Sequence, residues 1–223
     1  MLINIGKKKS LKDIQGNTPD LAKLKQTSKI AVIDDNPFLK AGALAAHNFQ
    51  LAELGDIRRI DQVSEYPIVV CDIRGVGLEF GSPLEGAHVL AEIRKLYPDK
   101  FLVAYSGTES DMSYNDLLRA VDVSVPKDAH TEVWVSVLED GLKKIGDPFN
   151  RWIRFRTQLS QRGVDASEIY RLEQAFLKSI DKRDSSIFEK VASSINAPEV
   201  VAEFAKVAMK QLVNFAIAAA VTS

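Results

Sequence analysis

Two adjacent aspartates, Asp34-Asp35, a third aspartate, Asp72, a serine, Ser106, and a lysine, Lys127, each follow or close a short apolar run. Brought into one crevice, three carboxylates repel one another, and their pKa values rise unless a cation sits among them. A hard site of carboxylate oxygens suits Mg²⁺, which takes few protein ligands and keeps several waters. Each residue alone has a blander reading. Paired aspartates at a strand end commonly serve as a helix cap and its solvated neighbour, a lysine there is surface charge, and a serine forms turns. Their joint placement at the ends of apolar runs argues for chemistry.

The runs themselves are Ile30-Ala31-Val32-Ile33 before Asp34, Ile68-Val69-Val70-Cys71 before Asp72, Phe101-Leu102-Val103-Ala104-Tyr105 before Ser106, and Val121 to Pro126 before Lys127. Continuous apolar runs rich in Val and Ile suit parallel strands buried on both faces. The ends of such strands emerge at the carboxyl edge of the sheet, where open α/β sheets place their ligands.

Between the runs the pattern turns helical. Asn36 can cap and Pro37 suits a first helical position, and Phe38, Leu39, Ala45, Phe49 and Ala52 follow at helical spacing as far as Gly55. Ile57 to Ile60 then reads as a second strand. Only Asp61 to Tyr66 separate it from Pro67, fewer residues than a parallel crossover needs, so either that crossing helix is a single turn or the second strand lies elsewhere. A Gly-rich loop, Arg74 to Pro83, leads to a helix from Leu84 to Leu96. Further helices are predicted over Ser110 to Arg119 and Ala129 to Ile145, the latter with Val133, Val137, Leu138, Leu142 and Ile145 inward. No glycine pattern that cradles a nucleotide phosphate opens any of these helices. The alternation predicts an α/β fold, a five-stranded doubly wound parallel sheet.

This arrangement resembles the receiver domains of bacterial two-component response regulators, over about Lys29 to Asp147. The matching residues are Asp34-Asp35, Asp72, Ser106 with Gly107, and Lys127, with separations of 37, 34 and 21 residues from Asp35 onward. The resemblance implies the flavodoxin-like strand order 2-1-3-4-5. It also implies direct Mg²⁺ ligation by Asp35, Asp72 and the backbone carbonyl of Arg74, with Asp34 acting through water. Asp72 is then the phosphoacceptor, Lys127 and Mg²⁺ neutralise the transferring oxygens, and Ser106 hydrogen-bonds the new phosphoryl group. A histidine kinase or phosphotransfer protein is the implied partner. The chain also departs from the family. Ser124 stands where members usually carry an aromatic residue, Pro126 precedes Lys127 rather than following it, and the loop after Asp72 is longer than usual.

The 223-residue chain is 46% hydrophobic, enough for a substantial core. Its charge is uneven: residues 1–29 hold seven basic and two acidic side chains, residues 30–147 eleven and twenty, and residues 148–223 eleven and eight. Three domains are expected: a basic extension over 1–28, the receiver-like domain over 29–147, and a small all-α bundle over 148–223. One cysteine, Cys71, and three scattered histidines exclude a disulfide framework and give no zinc-ligand spacing. No signal-peptide pattern and no apolar stretch of spanning length are present, which points to the cytoplasm.

In the bundle, helices are expected from Arg151 to Gln161, from Asp165 with a capping-box partner at Glu168, over Ser185 to Ile195, and from Pro198 onward. Arg151, Arg154 and Arg156 alternate with aromatics, yet no helix-turn-helix spacing follows, so nucleic acid is not the expected partner. The absence of histidine from 148–223 excludes a phosphohistidine transfer helix. The preferred reading is a Mg²⁺-dependent phospho-receiver that controls protein association or dimerisation through residues 148–223. The alternatives are a pseudo-receiver scaffold that is never phosphorylated and, third, a Mg²⁺-dependent phosphohydrolase working through an aspartyl phosphate.

Overall fold

The computed structural model describes residues 10–15, 20–107, 120–196, 213 and 217. The chain divides into two compact units, one of residues 19–146 and the other of 1–18 with 147–223.

The first unit is built on five parallel strands: β1 (Lys29–Ile33), β2 (Gln50–Glu53), β3 (Ile68–Asp72), β4 (Phe101–Ser106) and β5 (Val123–Pro126), in the order 2-1-3-4-5. Its α-helices among the described residues are α1 (Leu21–Thr27), α2 (Ala41–Ala46), α3 (Glu85–Leu96) and α4 (Thr131–Gly146). In the three central strands every apolar residue is buried, because both faces are covered. Ala31, Ile33, Val69, Cys71, Leu102 and Ala104 alternate onto one face, packed with Val89, Leu90 and Ile93 of α3. The intervening residues face the other way, toward the side that carries α4.

The second strand is Gln50–Glu53, paired with Lys29–Val32, and not Ile57 to Ile60. The helix before it is also shorter than expected. Asn48 takes a left-handed backbone at φ 65° and ends the helical stretch, Phe49 is buried, and the following residues extend alongside β1. Residues 54–67 then make the crossover to β3, a length that a parallel connection accommodates. Ile57 and Val63 are fully buried within that crossover, and a single 3₁₀ turn spans Ile60–Val63. In α4 the inward stripe is Trp134, Leu138, Leu142 and Ile145, while Val133 is exposed. The helix expected over Ser110 to Arg119 lies outside the described residues.

The other unit contains α5 (Pro148–Gln161), α6 (Ala166–Lys182) and α7 (Ser186–Ala192). Asp147 caps α5 by accepting from Phe149 N–H, with Pro148 at the first helical position, and Asp165 caps α6 by accepting from Ser167 N–H. Trp152 stacks on Phe176 with centroids 5.0 Å apart, and its indole N–H donates to Glu173 Oε2 at 3.0 Å. Around this pair Phe155, Leu159, Leu172, Phe188 and Ala192 form a buried core, joined by Ile14 from the N-terminal segment. The helix expected from Pro198 lies outside the described residues, apart from Val213, buried in this core, and Ile217, packed against it.

Candidate acidic pocket at the carboxyl edge of the sheet

The parallel register determines which side chains meet. Ile33 pairs with Cys71, so Asp34 and Asp72 are the next residues along neighbouring strands. Asp72 pairs with Tyr105 and Ser106 with Pro126, which brings Ser106 and Lys127 to the same edge. Asp34, Asp35 and Asp72 each offer a carboxylate oxygen within 4.8 Å of the others. Asp34 and Asp72 are buried, at 7% and 2% exposure, and Asp35 is exposed.

Each carboxylate is oriented. Asp34 Oδ1 accepts from Asn36 N–H at 2.9 Å, and Asp34 Oδ2 accepts from the Tyr105 hydroxyl. Asp35 Oδ1 accepts from the Asn36 side-chain amide at 2.8 Å. Asp72 Oδ1 accepts from Arg74 N–H at 3.2 Å, while Asp72 Oδ2 forms an ion pair with Lys127 Nζ. Lys127 N–H donates to Ser106 O at 2.9 Å, continuing the β4–β5 ladder to the residue that carries the ammonium.

Electrostatics in the pocket are unbalanced. Three carboxylates face one ammonium, that of Lys127, which leaves an excess of two negative charges among the described residues. Burial pushes the Asp72 carboxyl above the usual carboxylate range; the Lys127 ammonium and Arg74 N–H pull it back, and Asp34 adds to the rise. Burial, followed by the Asp34 carboxylate, also pushes the Tyr105 hydroxyl up, so it stays protonated and donates at any working pH. Cys71, beside Asp72, is a fully buried thiol whose pKa burial raises well above its ordinary value, which suits a packing role.

The loop after β3 closes against this pocket. Gly75 has φ 80°, and a Cβ there would stand 2.9 Å from Asp35 Oδ1, so the backbone passes the carboxylate where only glycine fits. Gly75 N–H donates to Glu85 Oε2 at 2.7 Å, and Arg74 Nη1 stands 3.8 Å from Glu85 Oε1. Glu85 itself takes φ 48°, an uncommon conformation for a non-glycine residue, at the start of α3. One residue on, a Cβ at Gly86 would collide with Asp72 O at 1.8 Å. The long loop is therefore pinned at both ends around Asp72.

The structure thus brings Asp34, Asp35, Asp72 and Lys127 into contact or near-contact and places Ser106 on the neighbouring strand end. It places Arg74 beside Asp72 through its amide N–H. Three residues of the pocket were not singled out as site residues in the sequence: Asn36, Glu85 and Tyr105. Asn36 does not cap the following helix, which begins at Ala41; its N–H instead bonds Asp34 Oδ1, a local turn that an Asp-x-Asn spacing permits. Tyr105 lay hidden inside an apolar run, and only the strand register puts its hydroxyl on Asp34.

No helix among the described residues is long and apolar enough to cross a membrane. The sequence matches no protein-family model and no curated protein. Many of the solved structures similar to it are receiver domains. The BeF₃-activated DrrB receiver domain is 18% identical over 52% of this chain and 97% of its own, with a TM-score of 0.42. A CheY-like receiver domain protein from Methanospirillum hungatei JF-1 is 15% identical over 53% of this chain and 95% of its own, with a TM-score of 0.43. The signal receiver domain of an HD domain-containing protein from Pseudomonas fluorescens Pf-5 is 15% identical over 53% and 96%, with a TM-score of 0.44.

Proposed function

We propose that this chain is a response-regulator-like signalling protein in which Asp72 accepts a phosphoryl group in a Mg²⁺-dependent step. The observation that carries the reading is the unbalanced pocket: a buried carboxylate, Asp72, is held by Lys127 and flanked by Asp34 and Asp35. The donor set fits Mg²⁺, being carboxylate oxygen with two negative charges in excess; Asp35, Asp72 and the Arg74 carbonyl would hold the ion, with Asp34 reaching it through water. When bound, Mg²⁺ supplies charge neutralisation at the phosphoryl oxygens.

The residues of the chain divide the remaining work. One carboxylate oxygen of Asp72 attacks phosphorus, the bond from phosphorus to the leaving group breaks with its electron pair, and an acyl phosphate is left on Asp72. Lys127 moves from the Asp72 carboxylate to the new phosphoryl oxygens, and Ser106 donates its hydroxyl to them. The donor is a phosphohistidine of a kinase or phosphotransfer protein, and the output is association through the helices of 148–223.

Intact mass after incubation with Mg²⁺ and acetyl phosphate tests this directly. The expected result is one Mg²⁺-dependent phosphoryl adduct in the wild type and none in Asp72→Asn. No adduct under any Mg²⁺ concentration would favour the second reading, a scaffold that keeps the fold without phosphorylation. Ser124 is the observation on that side: it is exposed on β5, at the position where receiver domains usually carry an aromatic residue.

A further inference from the structure

We propose that Tyr105 is a positioning residue that sets Asp34 for a divalent cation and couples that carboxylate to helix α4 through Trp134. The proposal rests on the pocket being a cation site, and its test separates the two.

Three aromatic rings from three elements close on one another behind the acidic pocket. Phe38 comes from the loop that follows Asp34-Asp35, Tyr105 from the end of β4, and Trp134 from the first turn of α4. Their centroids are 5.4 Å apart for Phe38 and Tyr105, 5.6 Å for Tyr105 and Trp134, and 5.2 Å for Phe38 and Trp134, all in edge-to-face geometry. All three are buried, Trp134 completely. Edge-to-face ring pairs are directional contacts, so displacement of one ring forces its neighbours to reorient.

Tyr105 is the member of this triangle that also touches the pocket. Its hydroxyl donates to Asp34 Oδ2 while Asn36 N–H takes Asp34 Oδ1, so the two bonds together fix the plane of the carboxylate. Carboxylates that bind or face a metal commonly take their orientation from such outer donors. Lys127 Nζ lies 5.3 Å from the Tyr105 ring centroid, so the ammonium that pairs with Asp72 also faces this ring. Tyr105 therefore contacts both Asp34 and Lys127.

Trp134 is suited to receive a displacement of that ring. Its indole N–H is buried and finds no acceptor among the described residues, where its ring contacts are those with Phe38 and Tyr105. Trp134 lies on the inward stripe of α4 with Leu138 and Leu142, which makes its position a determinant of how that helix seats. An aromatic route thus leaves the pocket from β4, beside the β5 position where Ser124 offers none.

The test is calorimetric Mg²⁺ titration of the wild type, Asp72→Asn and Tyr105→Phe, with fluorescence read in a Trp152→Phe background, where Trp134 is the sole tryptophan of the two in the chain. Tyr105→Phe retains the ring and loses only the hydroxyl. The expected result is about a tenfold or greater loss of Mg²⁺ affinity in Tyr105→Phe, the usual scale for an outer-shell donor. Thermal stability without Mg²⁺ should fall modestly, because the buried Asp34 carboxylate loses one of its two donors, and affinity is measured at a temperature where both proteins are folded. Mg²⁺ should shift Trp134 emission, and Tyr105→Phe should abolish the shift at saturating Mg²⁺. If Trp152→Phe does not fold, the emission difference between the wild type and Trp134→Phe gives the same reading. Wild-type Mg²⁺ affinity in Tyr105→Phe, or Trp134 emission indifferent to Mg²⁺, overturns the proposal while leaving the cation site standing. Absence of Mg²⁺ binding by the wild type itself overturns both.

Discussion

Two clusters of buried charge sit in the sheet unit, and they are built on opposite terms. The acidic pocket gathers three carboxylates against the Lys127 ammonium and, among the described residues, leaves negative charge uncompensated. The second cluster lies around the start of β4 and is compensated throughout. Arg94 Nη2 pairs with Asp122 Oδ2 at 2.6 Å, and its other nitrogens donate to the carbonyls of Ala120, Pro98 and Lys100 at 2.7–2.8 Å. Asp122 Oδ2 also accepts from Leu102 N–H at 2.9 Å, and buried Lys100 donates to the carbonyls of Ser64 and Tyr66, both at 2.8 Å. Among the described residues every charge of the second cluster has a partner while the first lacks one, and the proposed chemistry rests on that difference. A deficit of charge, rather than burial of charge, is what distinguishes the candidate site.

The largest expected effect comes from breaking the compensated cluster. Arg94→Met keeps much of the apolar stem but strands Asp122 and three carbonyl groups, so we expect a loss of about 3 kcal/mol, the low end for one partner removed from a buried ion pair, because this pair is half-buried. Urea unfolding with an unchanged slope measures it. A loss of about 1 kcal/mol or less, as for an exposed pair, would show that the cluster contributes no more than surface charge and would undo the contrast.

Next in size is the effect of filling the deficit. Mg²⁺ at a hundredfold excess over its dissociation constant should raise wild-type stability by about 2.7 kcal/mol through binding to the native state alone. Asp72→Asn should lose most of this increment. Arg94→Met should retain it, because effects at separate sites with no shared partner add. An increment that vanished in Arg94→Met as well would join the two clusters into one network and blur the distinction between them.

The two clusters also differ in how much of them could be read from the residues alone. Asp34, Asp35, Asp72, Ser106 and Lys127 were legible because each ends or follows an apolar run, and parallel strands put such ends at one edge. The strand β2 was not, since Gln50–Glu53 lies at the sheet edge with only half-buried apolar residues and carries no run to mark it. Its Ala52 instead continues the helical spacing that begins at Phe38, and the turn at Asn48 leaves no Gly or Pro as a signal. The inward stripe of α4 keeps the expected Leu138, Leu142 and Ile145 but begins at Trp134 rather than Val133, because both are apolar and only packing on the sheet chooses between them. Tyr105 closes an apolar run and Arg94 falls inside the helix expected over Leu84 to Leu96, with nothing local to mark either. The partners of both lie far off in sequence, at Asp34 and Asp122, and no local pattern names them.

The smallest effect, and the one that tests the deficit itself, is the dependence of stability on pH without Mg²⁺. Burial holds the Asp72 carboxyl above its ordinary value in the folded protein, whereas in the unfolded chain it titrates near the usual carboxylate value. The folded state therefore binds more protons than the unfolded state between those two values. Stability from this group is fully present below the unfolded value and is lost as pH rises through the folded one. Asp72→Asn cannot ionise and is exempt. The stability of wild type minus that of Asp72→Asn should accordingly fall as pH rises across this window and then level off. Mg²⁺ should flatten the fall, since a cation favours the charged form. A difference that rises with pH would mean that Lys127 and Arg74 N–H outweigh the desolvation of Asp72, and the pocket would then resemble the compensated cluster around Arg94.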